Sequence, residues 1–135
     1  MGASETINYR TSPDWEKEVW SLTQKRGVDH ILEVGGPQTL GKSLACVAAG
    51  GHIAQIGVLT GFDAPDVSLF PLVSKNATMS GIYVGDRESF ESFVRFLDAT
   101  QIKPVIDRVF SFDATRDAYD YMKSGAHFGK VVISI

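Results

Sequence analysis

Cysteine, long apolar runs and an excess of one charge are all scarce in this sequence of 135 residues. Cys46 is the single cysteine, so the chain can form neither an internal disulfide nor a thiolate metal cluster. No apolar run approaches the roughly 20 residues that span a bilayer. Residues 1–5 show neither the basic start nor the apolar centre of a signal peptide. These absences predict a cytoplasmic protein with a reduced thiol and no membrane segment.

The charge balance excludes a second set of partners. The chain has 13 Lys and Arg against 16 Asp and Glu, a net charge of −3, and the signs are interspersed. Without a basic stripe, binding to nucleic acid or to an anionic membrane surface is not expected. The 44% hydrophobic content is that of an ordinary globular chain and suffices for one buried core. We therefore predict a single domain over residues 1–135.

Three apolar runs are present, and each ends in glycine: 28–36, 51–57 and 77–85. Helix-like stretches separate them, which favours an α/β fold with a mostly parallel sheet and flanking helices. Ligands of such sheets bind beyond the carboxyl ends of the strands, where glycine lets a ligand approach the backbone. The glycine-rich turn G-x-G-x-x-G, which binds a dinucleotide pyrophosphate, is absent from the sequence.

Periodicity and turn residues predict the other elements. Asp86 and Asp113 are expected to cap helices, Gly50-Gly51 to end one, and Gly125 to end another. A helix is also expected to start at 12–14 and end at Gly27. The predicted strands are 6–8, 29–34, 52–56, 77–84, 107–112 and 130–135.

Several short motifs, in their order and spacing, resemble the medium-chain dehydrogenase/reductase superfamily, in its quinone-reductase-like and zinc-type alcohol dehydrogenase-like branch. They are Gly2-Ala3 through Arg10, Gly27-Val28-Asp29 through Gly36, Gly50-Gly51 through Gly57, Pro104-Val105-Ile106, Ala118-Tyr119, and Gly129 through Ile133. The resemblance implies a Rossmann-like nucleotide-binding domain that lacks its first βαβ unit. The GroES-like catalytic domain of such enzymes is not in this sequence, so we expect little or no turnover by these residues alone.

The resemblance implies NAD or NADP as cofactor and assigns candidate positions to three strand ends. Gly35 and Gly36 would lie against a ribose or the adenine, or else form a tight turn into a helix. Ile56, Gly57 and Val58 would line the nicotinamide, or else form a buried strand end. Ile82, Tyr83 and Val84 would approach the nicotinamide while strand 77–84 pairs with its twin in a homodimer; alternatively, this is an internal strand covered by a helix.

Two further positions are candidates for cofactor contact. Tyr9 follows a predicted strand and would pack against the adenine, although an exposed loop tyrosine is equally ordinary. Lys130, beside Gly129, would reach a phosphate as a point charge, or else be a solvated strand end.

No residue is assigned to catalysis or to a metal. His30, His52 and His127 lie in separate segments without the spacing of a zinc site. Cys46 lies on an apolar helix face and is interpreted as a core residue. Asp29, Glu33 and Asp107 have no fixed separation, so none is assigned as a general acid or base.

Two functional hypotheses remain open at this point. In the first, the chain is the cofactor-binding portion of an NAD(P)-dependent oxidoreductase that moves a hydride to or from a carbonyl, alcohol or quinone, with a small-molecule substrate. In the second, it is a non-catalytic α/β module that dimerises without binding a nucleotide.

Overall fold

The chain alternates helices with parallel strands. The structure is a computed structural model that describes residues 2–63 and 66–135. One compact unit runs as far as Val84 and a second from Gly85 to Ile135, and each contains its own parallel sheet. The predicted α/β fold with parallel strands and flanking helices is confirmed.

The first unit contains a three-stranded sheet in the order β1-β2-β3. Leu44, Val47 and Ile53 form its buried centre, and Ile31 and Leu72 pack against them. Both strand pairs are parallel because a helix lies between successive strands. The elements are α1 (Trp15–Leu22), β1 (Val28–Glu33), α2 (Pro37–Cys46), β2 (Val47–Gln55), α3 (Phe70–Ser74) and β3 (Thr78–Gly81).

Helix α2 ends earlier than the glycine pair predicts. It ends at Cys46, and β2 begins at once with Val47. Gly50-Gly51 instead lies inside β2, where the pairing with β1 steps irregularly from Val28–Val47 to His30–His52. Gly50 has a φ of +72°, so the pair produces a bulge in the strand and not the end of a helix.

The end of α2 is fixed by a lysine from beyond α3. The Lys75 ammonium donates to the carbonyls of Leu44, Ala45 and Val47 at 3.1, 2.6 and 2.8 Å. The Trp20 indole also donates to Ala45, at 3.0 Å. These bonds satisfy carbonyls that a helix end leaves without partners. Burial lowers the pKa of Lys75.

Three predicted boundaries in the first unit are wrong. Residues 6–8 form no strand, because the Asn8 carbonyl accepts from the N–H groups of Thr11 and Ser12 and so makes a turn. Helix α1 ends at Leu22, before Gly27, since Gln24 and Lys25 already have positive φ. The strand predicted over 77–84 is β3, and it covers only Thr78–Gly81.

The second unit pairs β4 (Ile106–Ser111) with β5 (Lys130–Ser134) in parallel. It also contains α4 (Arg87–Thr100), a 3-10 turn (Phe112–Ala114) and α5 (Thr115–Ser124). Asp86 caps α4 as predicted, since its carboxylate accepts from the Ser89 N–H at 2.8 Å. Gly125 ends α5 with a φ of +68°, also as predicted.

Asp113 does not cap α5. It lies within the 3-10 turn, and Ala114 occupies the position before the helix without a side-chain bond. Among the described residues, no helix is long and apolar enough to cross a membrane.

Candidate functional site

Two loops meet at the carboxyl ends of β1 and β2. The Glu33 carbonyl, at the end of β1, accepts from the N–H groups of Ile56 and Gly57 at 2.9 and 3.0 Å. The Gly35 carbonyl accepts from Thr60, from its N–H at 2.8 Å and from its hydroxyl at 2.9 Å. The structure therefore brings together two sets of predicted residues, Gly35-Gly36 and 56–58.

Each of the two loops has a glycine where the backbone of the other loop comes close. A Cβ on Gly36 would stand 2.9 Å from the Gly57 carbonyl oxygen and 2.9 Å from the Val58 Cα, and Gly36 has a φ of +97°. A Cβ on Gly57 would overlap the Val34 carbonyl. The two loops consequently pack backbone against backbone, which side chains at either glycine would prevent.

The Glu33 side chain is buried beneath this junction, with 4% of the residue exposed. One carboxylate oxygen accepts from the Gly35 and Gly36 N–H groups at 2.9 and 3.0 Å and from the Thr39 hydroxyl at 2.7 Å. The other accepts from the Ser43 hydroxyl. Burial raises the pKa of Glu33, but these four hydrogen bonds outweigh it and hold the pKa below its ordinary value.

An open cavity of about 510 Å³ lies beside the junction, within the first unit. Tyr9 and Gly35, both predicted cofactor positions, line it. Its wall is mainly apolar, with a few polar groups, and its volume lies in the range of about 300–1,000 Å³ that small-molecule sites occupy. The other lining residues are Ile7, Trp15, Ile31, Leu32, Glu33, Val34, Thr39, Ser43, Leu59 and Thr60.

The third predicted strand end lies beside the second. Ile82 follows β3, and its N–H donates to the Gln55 carbonyl at the end of β2, at 2.9 Å. Tyr83 and Val84 are exposed, with 93% and 82% of their surfaces accessible. These residues follow the carboxyl end of β3, the same end of the strands at which the glycine loops lie.

Gly129 and Lys130 belong to the second unit. A Cβ on Gly129 would stand 2.5 Å from the Val105 carbonyl oxygen, and the Lys130 N–H donates to that same oxygen at 2.8 Å. Close packing against Val105 thus accounts for glycine at 129 without any ligand. The Lys130 residue is exposed at the start of β5.

Sequence reasoning missed two residues of the junction, Glu33 and Thr60. Glu33 offered a signal, since a carboxylate must find donors if it is buried, and two glycine N–H groups follow two and three residues later. Thr60 offered none, because its partner lies 25 residues earlier in the sequence.

The comparisons with known proteins agree with the fold. The family model described as zinc-binding dehydrogenase matches residues 1–133. The chain belongs to the zinc-binding dehydrogenase family.

The chain is similar to several dehydrogenases over nearly its whole length. A zinc-type alcohol dehydrogenase-like protein of Schizosaccharomyces pombe is 40% identical over the whole chain. A crystal structure of a protein assigned as an alcohol dehydrogenase, from Sinorhizobium meliloti 1021, is 42% identical over 99% of the chain, with a TM-score of 0.85. An NAD-dependent alcohol dehydrogenase of Sulfolobus acidocaldarius is 30% identical over 95% of the chain.

The chain spans a minor part of these family members. It covers 40% of the S. pombe protein, 38% of the S. meliloti protein and 37% of the S. acidocaldarius protein. The family match shows that the chain belongs to a family of oxidoreductases. Its cofactor and substrate are proposed below.

The residues described here do not fit the zinc ion that the family name implies. Within residues 2–63 and 66–135, no group of three or more His, Cys, Asp and Glu side chains is arranged to hold a metal. Cys46 is buried, and that burial raises the pKa of its thiol, which disfavours the thiolate that binds zinc. His52 contacts the Ser80 hydroxyl at 2.7 Å.

Proposed function

We propose that this chain supplies one wall of the NAD or NADP site of an oxidoreductase that transfers a hydride to or from a carbonyl, alcohol or quinone. The observation that carries the proposal is the junction of two glycine loops at the carboxyl ends of parallel strands, beside a cavity of about 510 Å³. Parallel α/β sheets bind their ligands at this end. The NAD-dependent relative supports the choice of cofactor.

The chain's own contribution is to position the cofactor and to exclude water. Gly35 and Gly36 would face the ribose or adenine, and Tyr9, which lines the cavity together with Gly35, would pack against the adenine. Ile56, Gly57 and Val58, followed by Ile82 to Val84, would border the nicotinamide. The nicotinamide, when bound, supplies the hydride chemistry. No residue of this chain is proposed as an acid or base.

In the second unit, Lys130 would provide a positive charge for a cofactor phosphate. Its exposure leaves the ammonium free to reach a ligand. The small-molecule substrate would be held outside these residues, so the 135-residue chain is expected to show little or no turnover by itself.

Titration of the chain with NADH and NADPH, by calorimetry and by amide NMR shifts, tests the proposal. We expect weak binding, on the order of 0.1–1 mM, because no glycine-rich turn is present to donate hydrogen bonds of roughly 1.5–3 kcal/mol each to the pyrophosphate. Shifts should concentrate at Gly35, Gly36, Gly57 and Val58. No heat and no shifts at millimolar cofactor would refute the proposal.

A matched pair of variants locates the binding. Val58→Asp puts a carboxylate in the proposed site, whereas Val73→Asp puts one on α3; both valines are exposed, so neither change disturbs the core. Val58→Asp should weaken binding at least fivefold, since a like charge repels the cofactor phosphates. Equal affinities for the two variants would place the cofactor elsewhere.

We also propose that β3 pairs with β3 of a second copy to form a homodimer. β3 lies at the edge of its sheet, and all four of its residues are exposed. An exposed edge strand is a template for pairing, and two identical edges can satisfy each other symmetrically. Met79→Lys on this strand should shift sedimentation from dimer toward monomer. A monomer at every concentration of the unmodified chain would refute the homodimer.

We place the protein in the cytoplasm. Its single cysteine is free and buried, a state that persists in a reducing compartment. Fractionation of cells that express the protein tests this assignment.

A further inference from the structure

Glu33 makes two sets of contacts, one through its side chain and one through its backbone carbonyl. Among the described residues of the junction, no other makes both. Its carboxylate accepts from the β1–α2 loop and from α2, and its backbone carbonyl accepts from the loop after β2. One residue therefore holds both loops that border the cavity. Substrate chemistry at Glu33 is disfavoured, since both carboxylate oxygens are already engaged by donors of the protein.

The carboxylate is an unusual choice for this position if packing were its only purpose. Burying a carboxylate costs several kcal/mol that an apolar side chain would avoid. The donors that compensate for this cost are the Gly35 and Gly36 N–H groups and the hydroxyls of Thr39 and Ser43.

The bonds to the glycines also set what the loop can offer to a ligand. Glycine adopts many backbone conformations, so a Gly-Gly turn is disordered unless its N–H groups have fixed partners. Here both N–H groups point at Glu33 and both are held at 2.9–3.0 Å. The face of the turn that is left toward the cavity is the Gly35 backbone beside Thr60.

We propose that Glu33 is a positioning residue for the cofactor, because it holds the Gly35–Gly36 turn and the 56–57 turn in the arrangement that the nicotinamide nucleotide meets. This inference rests on the proposed function. Loss of the negative charge should loosen the Gly35–Gly36 turn and weaken cofactor binding, although no group that contacts the cofactor is removed.

Glu33→Gln tests the inference, with Glu18→Gln as its control. The amide keeps the shape of the side chain but loses the charge, and charge-assisted hydrogen bonds are roughly twice as strong as neutral ones. Glu18 is exposed on α1, in the same unit. We expect NAD⁺ to bind Glu33→Gln about tenfold more weakly and the Gly35 and Gly36 amide protons to exchange about tenfold faster. Glu18→Gln should match the unmodified chain in both.

The pH profile separates positioning from a general loss of structure. The affinity of the unmodified chain for NAD⁺ should fall as the pH drops and Glu33 becomes protonated, whereas Glu33→Gln should lose this step. Ser43→Ala removes one donor from the carboxylate, so it should move the step to higher pH. Cys46, the titratable neighbour of Glu33 on α2, stays a neutral thiol over this range because burial raises its pKa.

The outcomes are distinct. If Glu33→Gln binds NAD⁺ as the unmodified chain does and keeps its pH step, the inference is overturned while the proposed function stands. If the unmodified chain binds no nicotinamide nucleotide, the proposed function fails, and the inference with it. Should Glu33→Gln not fold, Ser43→Ala decides: an unmoved step overturns the inference.

Discussion

Gly36 and Gly57 in the first unit and Gly125 in the second are glycine for different reasons. Gly36 and Gly57, in the first unit, lie where the backbone of one loop touches that of the next, so a Cβ at either would meet backbone atoms. Gly125, in the second unit, has a φ of +68° but open space around its Cβ position. The glycines that follow β1 and β2 thus lie in a crowded junction, whereas the glycine that follows α5 provides a left-handed dihedral angle.

The largest expected effect comes from Gly57→Ala. Its Cβ would overlap the Val34 carbonyl, so a loop must move, and we expect a loss of about 4 kcal/mol of unfolding free energy or no folding at all. Gly125→Ala should cost only about 1 kcal/mol, the price of a left-handed alanine. Urea unfolding measures both, with the fluorescence of Trp15 and Trp20 reporting the first unit and the amide NMR signals of α5 reporting the second. Equal losses would erase the distinction between the two glycines.

Glu33→Ala is expected to come next. It leaves the N–H groups of Gly35 and Gly36 and the hydroxyls of Thr39 and Ser43 without their acceptor, a loss of about 3 kcal/mol. The tryptophan fluorescence transition in urea measures it. A loss below that of Glu18→Ala, an exposed position, would contradict the role assigned to this carboxylate.

Acid should weaken the first unit through the same carboxylate. The folded-state pKa of Glu33 lies below its ordinary value. Ionised Glu33 therefore stabilises the fold fully at any pH above the ordinary pKa of a glutamate. That stability is lost as the pH falls through the lowered folded-state pKa. Subtracting the profile of Glu33→Gln from that of the unmodified chain, both followed by tryptophan fluorescence, isolates this contribution. A difference that does not change with pH would show that folding leaves the pKa of Glu33 at its ordinary value.

Lys75→Met should have a smaller effect, about 2 kcal/mol. The methionine keeps most of the apolar stem but removes the donor to three carbonyls at the end of α2. Thermal unfolding of the first unit measures the loss. Lys25→Met, at an exposed position, is the control, and it should leave the transition unchanged.

The smallest effect is expected from Asp86→Ala, at the start of α4. Its carboxylate accepts one N–H bond, from Ser89, and the site is exposed. The loss of unfolding free energy should be less than that caused by Gly125→Ala. It should be detected as faster amide exchange in the first turn of α4. Asp113→Ala, which caps nothing, should leave exchange in α5 unchanged.

The sequence predicted the parts of the fold that local chemistry decides. Strand-helix alternation, the Asp86 cap and the Gly125 helix end depend on a few neighbouring residues, and the structure confirms them. The end of α2 and the bulge at Gly50-Gly51 depend on pairing with β1 and on Lys75, which are distant in sequence, so they were missed.

The candidate site divides in the same way. Gly35, Gly36 and 56–58 were predicted as strand ends, and the structure brings them together. That the two loops require each other's glycines, and that Glu33 holds both, depends on contacts across the sheet. Their contact with a cofactor stays a prediction.

The contact between Gly36 and the backbone at Gly57 and Val58 also limits how this region can change in length. Surface loops ordinarily accept insertions and deletions with little cost. Here an added residue in one loop would displace the other, so viable length changes at this junction must come in compensating pairs. Insertions in family members would therefore be tolerated singly only away from these two strand ends.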